Sequence, residues 1–235
     1  KQKEFEAGGF SDTTVMDQKV VFDIGALDWS ENSKTGSEES VQFAYSYRMN
    51  LNTSFTGDDN MYIRILSGNH GQWMKDSNDG GYLTSVGKGN NLQVDKIWYS
   101  FPVGENNTVW VGPKIENYYM HGTAPSIYKP ITKQFSLGGN GEAYGASTDT
   151  GAGWAYKADN GFAISSNIGT KSKTTSSGTD TGLLTNNSKT SWATQVGLTK
   201  PQWSASVLVN QKYNGWSDTY YHSLQHGPSS STGNF

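Results

Sequence analysis

Between Gln42 and Phe55 the chain alternates without a break. Phe43, Tyr45, Tyr47, Met49, Leu51, Thr53 and Phe55 take one parity; Gln42, Ala44, Ser46, Arg48, Asn50, Asn52 and Ser54 take the other. A period of two is the signature of a strand with one apolar and one wet face. The run is longer than the usual ~5–6 residues of a globular strand, and it reaches the ~9–11 tilted residues that cross a bilayer. Phe55-Thr56-Gly57-Asp58-Asp59-Asn60 supplies turn chemistry, after which Met61, Ile63 and Ile65 resume the apolar parity. The stretch therefore reads as a hairpin.

The same pattern recurs along the chain. Asp17–Trp29 carries Val20, Phe22, Ile24 and Ala26 on one parity, and Leu92–Val103 sets Ile97, Tyr99, Phe101 and Val103 against Lys96, Trp98 and Ser100. Thr108–Gly112 and Gly151–Ala158 follow. Asp159-Asn160-Gly161, the strongest short hairpin signal in the chain, leads into Phe162, Ile164 and Ile168. Thr190–Leu198 and Gln202–Gln211 form a last hairpin. That makes nine strands, with a further one conceivable near Ile131–Leu137.

Between these strands, long polar connections (Ser30–Ser40, His70–Asn91, Pro113–Thr150, Thr170–Ser188) alternate with tight turns. Outer-membrane barrels place short turns at one end and long loops at the other, whereas a secreted β-sandwich has no reason to. Aromatics near expected strand ends (Trp29, Tyr45, Phe55, Trp98, Tyr99, Trp154, Trp192, Trp203) suit interfacial girdles. The expected fold class is thus all-β, a transmembrane antiparallel up-and-down barrel. A membrane would require closure, because an open sheet edge in hydrocarbon leaves amides unsatisfied. An odd strand count makes the sequence read as the N-terminal part of a longer barrel.

Composition agrees. Apolar residues make up 34% and aromatics 13%, with 28 Gly, which is poor material for a thick aliphatic core but suits a two-faced sheet with Gly-rich turns. Charged residues are 17% with a net of −3, which gives no nucleic-acid signal. The absence of cysteine excludes thiol catalysis and Cys-ligated metal. No run approaches the ~18 apolar residues of a membrane helix, which says nothing of barrels.

If the aromatic parity faces lipid, the opposite parity faces a lumen. A lipid-facing Arg or Lys costs about 2–4 kcal/mol at the midplane. This assigns Arg48, Asn50, Asn52, Arg64, Lys96 and Lys157 as pore-lining, where charge sets ion preference. The plainer alternative for the cations is a solvated surface. Residues 113–150 form a candidate constriction loop with Lys114, Glu116, Lys129, Lys133 and Glu142, unless the loop lies outward. His222 and His226 lack a third ligand, Asp58-Asp59-Asn60 lacks the closing Glu of a calcium loop, and Gly139-Asn140-Gly141 lacks dinucleotide spacing. No metal, cofactor or catalytic triad is expected.

Phe5-Glu6-Ala7-Gly8-Gly9-Phe10-Ser11-Asp12-Thr13-Thr14 with Lys19–Ala26, then Leu51–Asp58 and Asp95–Gly104, resemble cyanobacterial outer-membrane porins. These are the iron-uptake porin type of the OprB-like, carbohydrate-selective porin family. The resemblance implies an outer-membrane channel, not an enzyme, for passive diffusion of inorganic ions and small hydrophilic solutes, with carbohydrates or iron species among the solutes. It implies residues 1–16 as a linker from an N-terminal S-layer-homology domain and 17–235 as barrel, truncated at its C-terminus. Peptidoglycan would be bound only through that absent domain, outer-membrane lipid would surround the barrel, and a homotrimer is the porin precedent. Nucleic acid is not an expected partner. The alternative from another class is a secreted β-sandwich that binds glycans or acts as an adhesin.

Overall fold

The computed structural model describes residues 13–26, 40–70, 89–124, 150–170, 185 and 188–213. Its strands are β1 (Thr14–Gly25), β2 (Gln42–Thr53), β3 (Asn60–Gly68), β4 (Gln93–Pro102), β5 (Asn107–Lys114), β6 (Thr150–Lys157), β7 (Phe162–Thr170), β8 (Thr190–Thr199) and β9 (Ser204–Tyr213). They form one nine-stranded sheet in which each strand hydrogen-bonds the next in sequence. Every pairing is antiparallel, so the architecture is an all-β, up-and-down meander. Among the described residues the sheet is not closed, and β1 and β9 are its edges.

The short connections 54–59, 103–106, 158–161 and 200–203 alternate with the long ones. In a meander successive connections fall at opposite ends, so the short turns share one end of the sheet. Asp59 shows how one is built. Its Oδ1 accepts from Ser54 Oγ (2.8 Å), Phe55 N (2.9 Å), Thr56 N (2.8 Å) and Thr56 Oγ1 (2.9 Å), and its Oδ2 from the Tyr99 hydroxyl (2.6 Å). The acidic Asp58-Asp59-Asn60 stretch is therefore turn chemistry. The Tyr99 hydroxyl, followed by the turn donors, holds the Asp59 carboxyl well below the ordinary carboxylate range.

Strand limits differ slightly from those the pattern implies. β1 begins at Thr14, inside the expected linker, and ends at Gly25, while β9 runs Ser204–Tyr213. The reason is that β1 pairs with β2 along its whole length, so Thr14 meets Thr53 and the ladder, not the hydrophobic run, sets the boundary. The expected strand near 131–137 lies outside the described residues.

Register sorts the sheet into two faces. One carries Phe22, Ile24, Phe43, Met49, Leu51, Ile63, Ile65, Tyr99, Phe101, Val109, Trp154, Ile164, Trp192, Val196, Val207 and Val209. Much of it is bare: Phe22 is 68% exposed, Phe43 65% and Val207 72%. The opposite face is polar, yet among the described residues it is where the core cluster lies. Trp98, Trp110, Ile115, Met120 and Ala155 form its buried cluster, with Tyr62 and Tyr119 against them.

Candidate functional site: the polar face and the segment folded onto it

Alternation dictates which side chains share the polar face, and the ladders bear this out residue by residue. Arg48, Asn50 and Asn52 project together from β2. Asn50 is paired with Arg64 on β3, and Arg64 with Lys96 on β4. Lys157 joins the face from β6, opposite Ala163, and is exposed beside the short-turn end. The six residues expected on one side of the sheet are on one side. The tyrosine of β3 is there too: Tyr62 donates to Asn50 Oδ1 at 2.8 Å, while Asn50 Nδ2 donates to Asp17 Oδ1 at 2.7 Å. Asn60 Nδ2 donates to Asn52 Oδ1 at 3.0 Å.

Past Lys114 the chain turns back over this face. Residues 115–123, which include a 3-10 turn at Asn117–Met120, lie against it. Ile115 and Met120 are fully buried, each worth about 1.5–3 kcal/mol of apolar transfer. Space for them comes from small residues on the polar parity of β6, β7 and β8. A Cβ built on Gly153 would lie 2.7 Å from Met120 Sδ and 2.8 Å from Asn167 Cβ. One on Gly197 would collide with Thr123 Oγ1. Ala155, Ala163 and Ala193 continue the trough and are buried.

Polar contacts fasten the segment along its length. Lys96 Nζ lies 2.6 Å from Glu116 Oε1. Arg64 binds Asp95 through Nε (2.7 Å) and Nη2, and donates from Nη1 to the Tyr119 hydroxyl at 2.7 Å. Asn117 Nδ2 donates to Asn167 Oδ1 at 2.6 Å, and Asn167 Nδ2 lies 3.1 Å from His121 Nδ1. Gly122 N donates to Ser165 Oγ at 2.9 Å. Gln195 works in both directions, accepting from Thr123 N at 2.9 Å and donating to Thr123 O at 3.0 Å.

Electrostatics follow from this burial. Desolvation would raise the Glu116 carboxyl, but Lys96, then Arg64, hold it below the usual range. Burial pushes the Tyr118 hydroxyl well up, aided by the Glu116 charge. Four buried polar atoms have no partner among the described residues: Arg48 Nε, Trp98 Nε1, Asn117 Oδ1 and Thr123 Oγ1.

The expected constriction residues separate. Glu116 is buried in the segment, whereas Lys114 is exposed and donates to Val94 O at 3.0 Å. Lys129, Lys133 and Glu142 lie outside the described residues, as do Trp29, His222, His226 and Gly139-Asn140-Gly141. Trp98 is not part of an aromatic girdle: it sits on the polar face, stacked on Tyr62 with centroids 4.8 Å apart. Its parity with Lys96 and Ser100 already said so, and proximity to a strand end was the weaker signal.

Sequence reasoning missed Tyr62, Asp95, Asn167 and Gln195. The legible clue was the small-residue parity Gly151, Gly153 and Ala155, which is too bare for a lumen wall unless something packs on it. It also missed His70, whose Nε2 lies 2.6 Å from Asp23 Oδ2 and Nδ1 2.8 Å from Tyr45 O, tying β1, β2 and the end of β3 together. Among the described residues there is no cluster of His and acidic side chains able to hold a metal ion.

No family model matches the chain. A stretch of 105 residues, 44% of the chain, is 30% identical to an uncharacterized protein of Synechocystis sp. and covers 19% of it. A stretch of 112 residues, 43% of the chain, is 30% identical to an uncharacterized protein of Nostoc sp., again over 19% of its length. The chain thus matches about a fifth of the length of these curated relatives.

Proposed function

We propose that this sheet is part of the wall of an outer-membrane β-barrel that conducts inorganic ions and small hydrophilic solutes by passive diffusion. The observation that carries the reading is the bare apolar face. Soluble monomers rarely expose contiguous apolar patches beyond ~300–600 Å², and here large side chains stand open on β1, β2, β6, β8 and β9 alike. Lipid is the cover that suits such a face when the opposite one is charged. The grouping of short turns at one end supports the same orientation, short turns inward and long connections outward.

On this reading the polar face lines water, and residues 115–123 narrow the passage from within. The mechanism needs no turnover. A solute crosses by diffusing past Arg48, Asn50 and Asn52 beside the packed segment. On this reading the outer edges of β1 and β9, which have one neighbour each among the described strands, meet further strands, because hydrocarbon tolerates no open edge.

Reconstitution of the full-length protein in planar bilayers tests the reading. Stepwise conductance, with a heat-dependent gel mobility shift in detergent, is the expected result. A chain that purifies folded without detergent and leaves the bilayer inert would overturn it in favour of a secreted binding module.

A further inference from the structure

The cations of the polar face are unevenly neutralised. Register sets Lys19 opposite Arg48 on β1 and β2, and Arg64 opposite Lys96 on β3 and β4. Arg48 and Arg64 are diagonal neighbours, since Arg64 pairs with Asn50. Like charges directly opposite one another in a sheet repel, so both pairs call for counter-charge. The β3–β4 pair has it: Asp95 binds Arg64 and Glu116 binds Lys96.

Arg48 is different. Among the described residues no carboxylate forms an ion pair with it, and its Nε is buried with no hydrogen-bond partner. The acid nearest by register, Asp17, lies opposite Asn50 and takes that amide instead. A buried charged donor without an acceptor is destabilising, so the site favours an acceptor that is not part of the described fold. The Arg48 side chain is also partly exposed. On the β1–β2 side of the polar face Asp17 and Lys19 are exposed, while Arg48, Asn50 and Asn52 are half-buried.

We propose that Arg48 is an anion-binding position on the solute path, taking small oxyanions such as inorganic phosphate or carboxylates. A guanidinium offers two parallel N–H donors to two oxygens, which a lone ammonium does not. Lys19 adds a second positive charge across the ladder. This rests on the channel reading above.

The test uses the full-length protein in planar bilayers with potassium chloride and added inorganic phosphate. Phosphate is expected to block the openings saturably, and a salt gradient to show preference for the anion. Arg48→Gln is expected to lower the anion-over-cation permeability ratio about fivefold and to abolish the phosphate block. Arg48→Lys keeps the charge, so it should retain the preference while losing the block, and it serves if the glutamine variant fails to fold. Openings that ignore phosphate and are unchanged in both variants overturn the anion site and leave the channel intact. An absence of openings in the unaltered protein overturns the channel reading and this position with it.

Discussion

Lys96 and Glu116 meet at 2.6 Å, with both side chains almost wholly removed from solvent. One belongs to a strand of the sheet and the other to the segment that covers it, so the pair is an ionic tie between sheet and segment.

Removing one partner leaves the other as an uncompensated buried charge. Glu116→Gln is expected to destabilise docking of the segment by about 3–5 kcal/mol. The Lys96→Met/Glu116→Leu double variant should cost less than the sum of the singles. Trypsin cleavage after the exposed Lys114 is the readout, and it should accelerate in each single variant. The pH dependence follows from Glu116, whose carboxyl is held low by Lys96 and Arg64 against the opposing effect of burial. Its contribution is complete above the unfolded value of about 4.3 and is lost as pH falls through the depressed folded value. Equal cleavage rates in wild type and Glu116→Gln at neutral pH would sink this account.

Gly153→Val tests the trough. The added Cβ would meet Met120 and Asn167 side chains at 2.7 and 2.8 Å, and overpacking of this kind costs about 1–3 kcal/mol. The sheet itself should persist by circular dichroism while segment 115–123 gains protease sensitivity. If the protein conducts, single-channel conductance should rise.

The two faces should respond oppositely to the same charge. Met49→Arg on the apolar face is expected to lower folding yield into lipid vesicles, with a cost near 2–4 kcal/mol if the position lies at the midplane. Asn52→Arg, three residues on and on the polar face opposite the uncharged Val15 and Tyr62, should fold with near-normal yield. Indistinguishable yields would contradict a lipid-covered face.

Asp59 gives the β2–β3 turn its own acid sensitivity. The Tyr99 hydroxyl and the turn donors keep its carboxyl low, so its stabilisation is present above the ordinary Asp value of about 3.9 and fades as pH drops below it. Asp59→Asn should remove that component of the acid denaturation profile. Tyr99→Phe should shift it to higher pH by deleting the donor at 2.6 Å. A profile unaltered by Asp59→Asn would show that the turn does not depend on the charge.

Much of the fold was readable because a period of two leaves so little freedom. Once Phe43, Tyr45 and Tyr47 occupy one parity, Arg48 and Asn50 must occupy the other, and each ladder passes that choice to the next strand. The segment over the polar face was less readable. Asn117–Met120 has no period of its own, and its order comes from partners far along the chain, such as Asn167 and Gln195. Trp98 illustrates the limit of composition: counting aromatics near strand ends put it at an interface, while its parity put it on the face of Lys96 and Ser100, where it is found against Tyr119.

Segment 115–123 also imposes an order of assembly. The described strands pair only with sequence neighbours, so each hairpin can form as soon as its two strands exist. Thr123, however, needs Gln195, which lies 72 residues further on. The segment can therefore complete its docking only after β8 has joined. Until then Thr123 must wait in water, although Glu116 can already meet Lys96 on β4 and Asn117 can meet Asn167 on β7, and the contacts with Gln195 close the segment last.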